Sequence, residues 1–233
     1  MKKKSIILLA LIILAALVIY LEYTGYIWHN EVFASKYNIK GLDVSNHQGS
    51  IDWVKVKQGE RYKFAFIKAT EGNDYKDKYF LENWNKAKEV DILRGAYHYF
   101  TTGSSGKEQA QNFISIVPRE EGTLPPVVDL EVHGKNRDDF IRQLKDFVYS
   151  IEQYYEQKPI LYVMYPHYEA YVKGDFKDNA IWIRDIVKYP QLSDNREWKF
   201  WQYSNRGHVK GIDNYVDLNC FSGSLEELIS MVK

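Results

Sequence analysis

The sequence predicts an α/β chain in which repeated βα units close an eight-stranded barrel, regular in its first half and strand-rich in its second, behind an N-terminal transmembrane helix. Three observations lead there. From Ile39 onward, short apolar segments rich in β-branched and aromatic residues alternate with longer amphipathic ones, which is the rhythm of βα repeats. Eight such segments can be counted, the number that closes a small barrel. An unbroken apolar run precedes them all.

That run extends from Ile6 to Leu21 behind Lys2, Lys3 and Lys4. As a helix it spans roughly 24 Å at about 1.5 Å per residue, a little less than a hydrocarbon core, and tilt relief or local thinning absorbs the deficit. Tyr20, Tyr23, Tyr26 and Trp28 cluster where an interfacial aromatic belt would lie. Signal peptidase needs small residues at −3 and −1, yet a cut after Ala15 or Ala16 puts Ile13 or Leu14 at −3. An uncleaved signal anchor over residues 1–28 is therefore favoured over a cleaved signal that would release the protein. Residues 29–38 then form a short juxtamembrane linker. The lysines stay cytoplasmic, which sends the rest of the chain outside the cytoplasm as a single-pass envelope protein.

The candidate strands are Ile39 to Val44, Phe64 to Ala69, Leu93 to Phe100, Pro126 to Leu130, Ile160 to Met164, Ile181 to Arg184, Lys199 to Tyr203 and Tyr215 to Leu218. Helical stretches separate the early ones: Lys78 to Val90, Lys107 to Ile116, and Asp138 to Glu156, the last with Phe140, Leu144, Phe147, Ile151 and Tyr154 at helical spacing. After Ile160 the gaps shorten. No repeat or compositional break divides residues 39–233, so they read as one catalytic-size domain. With 233 residues, 45% of them hydrophobic, there is ample material for a core. Lys+Arg 31 equals Asp+Glu 31, which argues against a nucleic-acid partner, since binding there rests on neutralising phosphates. The single cysteine, Cys220, excludes an internal disulfide and any CxxC pair. A monomer is expected.

Acids appear where strands end: Asp43, Glu71, Asp129 with Glu131, and Asp217. In β/α barrels the active site is assembled at the carboxyl ends of the strands. Asp129 and Glu131, two apart on a strand, point to one face. Mutual repulsion raises the pKa of one of them, leaving a proton donor beside a carboxylate, a pairing suited to glycoside cleavage. The same spacing also fits a solvated strand end without chemistry.

Six blocks now carry a resemblance. Gly41-Leu42-Asp43-Val44-Ser45-Asn46-His47-Gln48-Gly49-Ser50-Ile51-Asp52-Trp53 closely resembles the opening motif of the glycoside hydrolase family 25 lysozymes, the Chalaropsis-type muramidases. Phe66-Ile67-Lys68-Ala69-Thr70-Glu71-Gly72, Arg94-Gly95-Ala96-Tyr97-His98-Tyr99-Phe100, Pro126-Val127-Val128-Asp129-Leu130-Glu131, Trp201-Gln202-Tyr203 and Val216-Asp217-Leu218-Asn219 are similar to that family's later blocks, in its order. The resemblance implies a modified TIM-like β/α barrel that hydrolyses the β-1,4 bond between N-acetylmuramic acid and N-acetylglucosamine in peptidoglycan. It makes Glu131 the general acid, Asp129 the neighbour that positions or polarises the 2-acetamido group, and Asp43 and Asp217 the remaining acids of the cleft. No cofactor or metal is implied.

The residues around these acids carry both functional and structural readings. Tyr97, Tyr99, Trp182, Trp201 and Tyr203 suit either stacking on sugar rings or core packing, with Tyr97 and Trp201 assigned to the cleft. His98 suits substrate contact or a hydrogen bond to a carboxylate. Glu71 is either a fifth cleft acid or the brace of a turn, Gln202 a hydrogen-bond partner for a carboxylate or acetamido group, and Asn46 and His47 shapers of the rim. One departure from the family pattern is Ile181-Trp182-Ile183-Arg184-Asp185, where Arg184 and Asp185 follow the tryptophan directly. Pairing of Arg184 with Asp185 or a catalytic acid is favoured over binding of the lactyl carboxylate of muramic acid. Glycine spacing lacks the dinucleotide fingerprint and the P-loop, and no histidine precedes glutamate as HExxH requires. Two alternatives remain: a metal-dependent peptidoglycan deacetylase or amidase using Asp129, Glu131, His98 and His133, and a non-catalytic barrel that holds glycan. A repelling acid pair has no use in a pure binder.

Overall fold

The computed structural model describes residues 2–233. Helix α1 (Lys2–Tyr23) carries the apolar run, and residues 3–20 are exposed on every side, as expected of a segment that lacks a polar face. A single-turn helix α2 (Glu31–Ala34) leads into the barrel. Its strands are β1 (Ile39–Val44), β2 (Tyr62–Glu71), β4 (Leu93–Tyr99), β5 (Val127–Leu130), β6 (Ile160–Val163), β7 (Ile181–Arg184), β8 (Phe200–Gly207) and β9 (Val216–Phe221), with a two-residue β3 (Tyr75–Lys76) that folds back on the end of β2. β1 pairs with both β2 and β9, which closes the eight-stranded ring.

Six of the eight ring pairings are parallel, and the two that involve β9 are antiparallel. The expected eighth strand is therefore present but reversed, joined to β8 by a short connection that leaves no room for a crossover helix. Reversal matters for the site, because it brings the start of β9, with Asp217, to the end of the barrel where the parallel strands finish.

Helices α3 (Trp53–Gln58), α4 (Phe80–Glu89), α5 (Gly106–Ile114) and α6 (Arg137–Tyr155) wrap the first half. α5 starts at a Ser105–Glu108 capping box, and α6 at Asn136, whose side chain accepts from the Asp139 amide. The buried face of α6 is Phe140, Ile141, Leu144, Phe147, Val148, Ile151 and Tyr155. Tyr154, the expected final member of that stripe, is 39% exposed, since the stripe drifts around the helix and Tyr155 takes the inward position. The second half has only the one-turn helix α7 (Tyr165–His167), which runs into a π turn (Tyr168–Val172), and a terminal α8 (Leu225–Ser230).

Two apolar layers hold this together. One lies between the strands and the outer helices. The other fills the barrel with Ile39, Phe64, Phe66, Val127, Ile160, Tyr162, Trp182, Phe200 and Phe221. Space for this aromatic plug comes from glycine: a Cβ at Gly41 would lie 2.3 Å from the Phe64 ring, and one at Gly95 2.7 Å from that of Phe66. An alanine at either position would push against a packed interior.

Residues 29–38 differ from the expected linker. They lie along the outside of β8, where Asn30 is fully buried and donates to the carbonyls of Asp185 and Tyr203. The second half has too few crossover helices to cover that wall, and this segment takes their place.

Candidate active site

Strand alternation decides which side chains enter the barrel. Asp43, Lys68, Tyr97, Asp129, Tyr162, Trp182, Gln202 and Asp217 meet in one polar layer above the aromatic plug. With Tyr99, Glu131, Val44 and the loop residues Ser45, His47 and Gln48, they line a cavity of about 200 Å³. The register agrees: Asp43 sits opposite Asp217, Tyr99 beside Asp129, Asp129 beside Tyr162, and Tyr162 beside Trp182. The loop after β1 forms one rim. Ser45 and Gln48 close a capping box there, and Gln48 and Asn214 tie the loop to the β8–β9 connection through Tyr215 and His47. Asn46 braces it by accepting from the Tyr75 hydroxyl.

All four expected acids are thus brought together, and burial dominates their electrostatics. Asp43 is pushed up to about 6, by burial first and with the charge of Glu131 adding to it, although Asn219 and Gln202 donate to its Oδ2 at 2.7 and 3.2 Å. Asp129 rises well above the carboxylate range, through burial and then the charges of Glu131 and Asp43, and its Oδ1 has no hydrogen-bond partner among the described residues. Asp217 rises too, through burial and its proximity to Asp43, against which Arg184 acts weakly. Asp129, the deeper member of the Asp129–Glu131 pair, is raised by burial first and by the charge of its neighbour second. Glu131 is half-buried at the mouth, 3.3 Å from the Tyr162 hydroxyl, which also donates to Gln202 at 2.8 Å.

The aromatic candidates separate by parity. Tyr97 and Tyr99 reach the cavity half-buried, with ring area available to a ligand. Trp182 forms the floor: its Nε1 donates to Asn219 at 2.8 Å, and it packs against Tyr162 and Phe66. Trp201 and Tyr203 do not reach the cavity. Flanking the inward Gln202, they point outward and are fully buried beneath residues 29–38 and the β7–β8 loop, and Trp201 donates to the Asp185 carbonyl at 2.8 Å. Their assignment to sugar stacking is corrected on this ground, since neighbours along a strand cannot share a face.

His98 is corrected in the same way. Lying between Tyr97 and Tyr99, it points outward and stacks on Phe147 at 4.7 Å. Its Nε2 lies 3.1 Å from Gln109 Oε1, so Nδ1 accepts from the Thr70 hydroxyl at 2.7 Å. Its partners are neither substrate nor carboxylate, and burial pulls it down to about 3, leaving a neutral ring. The four-residue set of the metal-dependent reading is consequently not assembled, and among the described residues no three acidic, histidine or cysteine side chains converge as a metal set.

Glu71 stands outside the cavity and pairs with the inward Lys68 at 2.8 Å. Arg184 makes no ion pair with Asp185 among the described residues. Its Nη1 instead lies 3.6 Å from Met164 Sδ, while Asp185 accepts from Tyr165 and from the amides of Val187 and Lys188. Lys68, Tyr162 and Asn219 join the site beyond the residues expected from sequence. Period two from Asp217 reaches Asn219, but no local signal marks Lys68 or Tyr162.

Comparison with known proteins follows the same lines. The model of the glycosyl hydrolases family 25 matches residues 42–212. Lysozyme M1 of Streptomyces globisporus is 34% identical over 209 residues, covering 83% of this chain and 71% of that protein. The Escherichia coli K12 protein YegX is 38% identical over 203 residues, 85% of this chain and 75% of its own. Among solved structures, a family 25 glycosyl hydrolase from Bacillus anthracis superimposes with a TM-score of 0.78 at 42% identity, over 82% of this chain and 92% of that one.

Proposed function

The chain belongs to the glycosyl hydrolases family 25, and we propose that it is a lysozyme that cleaves the β-1,4 bond between N-acetylmuramic acid and N-acetylglucosamine, with Glu131 as general acid and Asp129 assisting. The observation that supports these roles is the carboxyl layer itself. Four acids share one cavity, the nearby cations are too few to neutralise them, and burial raises Asp43, Asp129 and Asp217 together.

Glu131, the member at the mouth, is the one within reach of a glycosidic oxygen. It gives its proton to that oxygen as the C1–O bond breaks. Asp129, with an unpartnered oxygen facing the cavity, holds the 2-acetamido group. The acetamido oxygen then attacks C1 to form a cyclic intermediate, and water opens it after giving a proton to Glu131. Tyr162, bonded to both Glu131 and Gln202, orients the acid. Tyr97 and Tyr99 offer faces to the pyranose rings.

In this reading α1 stays in the bilayer as an anchor, its most apolar 18-residue window having a mean hydropathy of 2.7, and the monomeric barrel works on peptidoglycan outside the cytoplasm. The test is mass spectrometry of products from purified peptidoglycan treated with the full chain in detergent, because residues 24–38 belong to the barrel wall. Muropeptides ending in reducing muramic acid, formed despite EDTA and absent with Glu131→Gln, are expected. Deacetylated or peptide-cleaved products lost with EDTA would overturn the assignment.

A further inference from the structure

No flexible spacer separates the apolar helix from the barrel. Tyr23, the last residue of α1, already touches β8: the Arg206 guanidinium donates to its carbonyl and lies 4.7 Å from its ring centroid. One residue on, the Thr24 carbonyl lies 2.7 Å from His208 Nε2, and Tyr26 stacks on the His208 ring at 4.6 Å. Gly25 turns the chain at φ 75° so close to Arg206 that a Cβ would meet its carbonyl oxygen at 2.0 Å. Asn30 is then locked between β7 and β8, and Phe33 meets Tyr189 edge to face. The apolar run ends at Leu21, two residues before the first of these contacts. If α1 crosses a bilayer, the upper rim of β8 must stand at its surface.

The wall that continues from this junction is apolar where it is exposed. Tyr26, Val32 and Val187 are 70%, 72% and 71% exposed, and Ile27, Phe33 and Tyr189 are close to 40%. They sit on the segment covering β8 and on the β7–β8 loop, linked by the Phe33–Tyr189 contact and by the bond from His29 to the Val187 carbonyl. Lys188, exposed between Val187 and Tyr189, adds a charge that suits anionic headgroups.

We propose that this β7–β8 wall is a membrane-docking surface, and that the barrel lies on the outer leaflet with lipid covering the patch. The occupant follows from continuity: the patch begins where a membrane-length helix ends, and the joint between them is hydrogen-bonded and packed. The inference rests on the reading of α1 as an anchor. It also narrows the substrate. Gly207 at the junction pairs with Val216, whose neighbour Asp217 lines the cleft. The cleft mouth is therefore held beside the membrane, and the glycan it meets is the strand lying closest to the lipid surface.

The test uses the full chain with Val187→Cys, Val32→Cys or, on the opposite wall at α4, Leu81→Cys, each labelled with an environment-sensitive fluorophore. Cys220 stays unlabelled because it is buried, with its thiol pushed up to about 12. In vesicles of equal parts phosphatidylethanolamine and phosphatidylglycerol, the labels at 187 and 32 should shift to the blue, be quenched by spin-labelled lipid and resist aqueous iodide. The label at 81 should do the reverse. Equal iodide access at all three sites in vesicles that retain the protein overturns the docking alone. Shielding of 187 that rises with protein concentration and accompanies a dimer mass by light scattering assigns the patch to a second copy and overturns lipid as its occupant. Protein that does not float with the vesicles overturns the anchor and the docking together. Hydrolysis of soluble peptidoglycan fragments by the same samples reports separately on the glycosidase reading.

Discussion

The two ends of the barrel treat carboxylates in opposite ways. At the end where strands begin, burial acts to raise Glu120, but Lys88, Arg94 and Trp84 all donate to it and bring it down to about 2. At the other end, Asp43, Asp129 and Asp217 are all pushed upward, and the nearby cations do little to prevent it: Lys68 is paired with Glu71 and Arg184 points at a thioether. The same chemical group is held as a well-paired ion at one end and raised by burial at the other. The difference lies in the donors each end supplies, and it separates a well-compensated carboxylate from a set of buried acids that lack compensation, the kind of arrangement found at functional sites.

Four substitutions probe that contrast. Glu131→Gln at the cleft end should lower turnover by a factor of about 10² or more, the scale of general acid catalysis, with an unchanged melting temperature; a wild-type rate would remove Glu131 from its role. Glu120→Ala should reverse the pattern, with activity per folded molecule retained and stability reduced by about 3 kcal/mol, because Arg94 is left buried without its partner. The folded-state value of Glu120 is depressed, so its contribution is present above its ordinary 4.5 and is lost as pH falls toward about 2. Denaturant titrations at neutral and acid pH should therefore show the mutant and wild type converging in acid.

Asp43→Asn should stabilise. The Asp43 carboxyl is raised from 3.8 to about 6, so its unfavourable effect is absent below 3.8, grows as pH rises and is complete above about 6. A gain of about 1–3 kcal/mol at pH 8 and none at pH 3 is expected, the free energy needed to hold a carboxylate in so unfavourable a site. Loss of that charge should also move the alkaline limb of the pH–rate profile to lower pH, since the remaining acids give up their protons more easily. The smallest effect belongs to Tyr203→Phe, which should change stability by less than about 1 kcal/mol and leave KM unchanged. A raised KM would return Tyr203 to the cleft.

Trp201, Gln202 and Tyr203 show how far the site could be read. All three lie in one family-like block, yet a strand admits only alternate residues to the interior, and the parity of β8 selects Gln202. The same rule separates His98 from Tyr97 and Tyr99. Once the strand and one inward residue are known, parity is a property of sequence, and it was available from Asp129 and Glu131. The long helices were legible from their apolar spacing. The shorter α2, α3, α7 and α8 span at most two turns and carry too few periods to be recognised. The reversal of β9 had no local signal, because a strand reads the same in either direction.

The sequence by itself determined the βα rhythm, the membrane-length apolar run and the family membership of the blocks around Asp43, Asp129, Glu131 and Asp217, since each depends on residues that are neighbours along the chain. Only the tertiary structure decided that burial raises the Asp129 carboxyl, that Lys68, Tyr162 and Asn219 join the site, and that residues 29–38 form barrel wall instead of linker. Those outcomes depend on burial and on contacts between residues far apart in sequence, which exist only after the ring has closed.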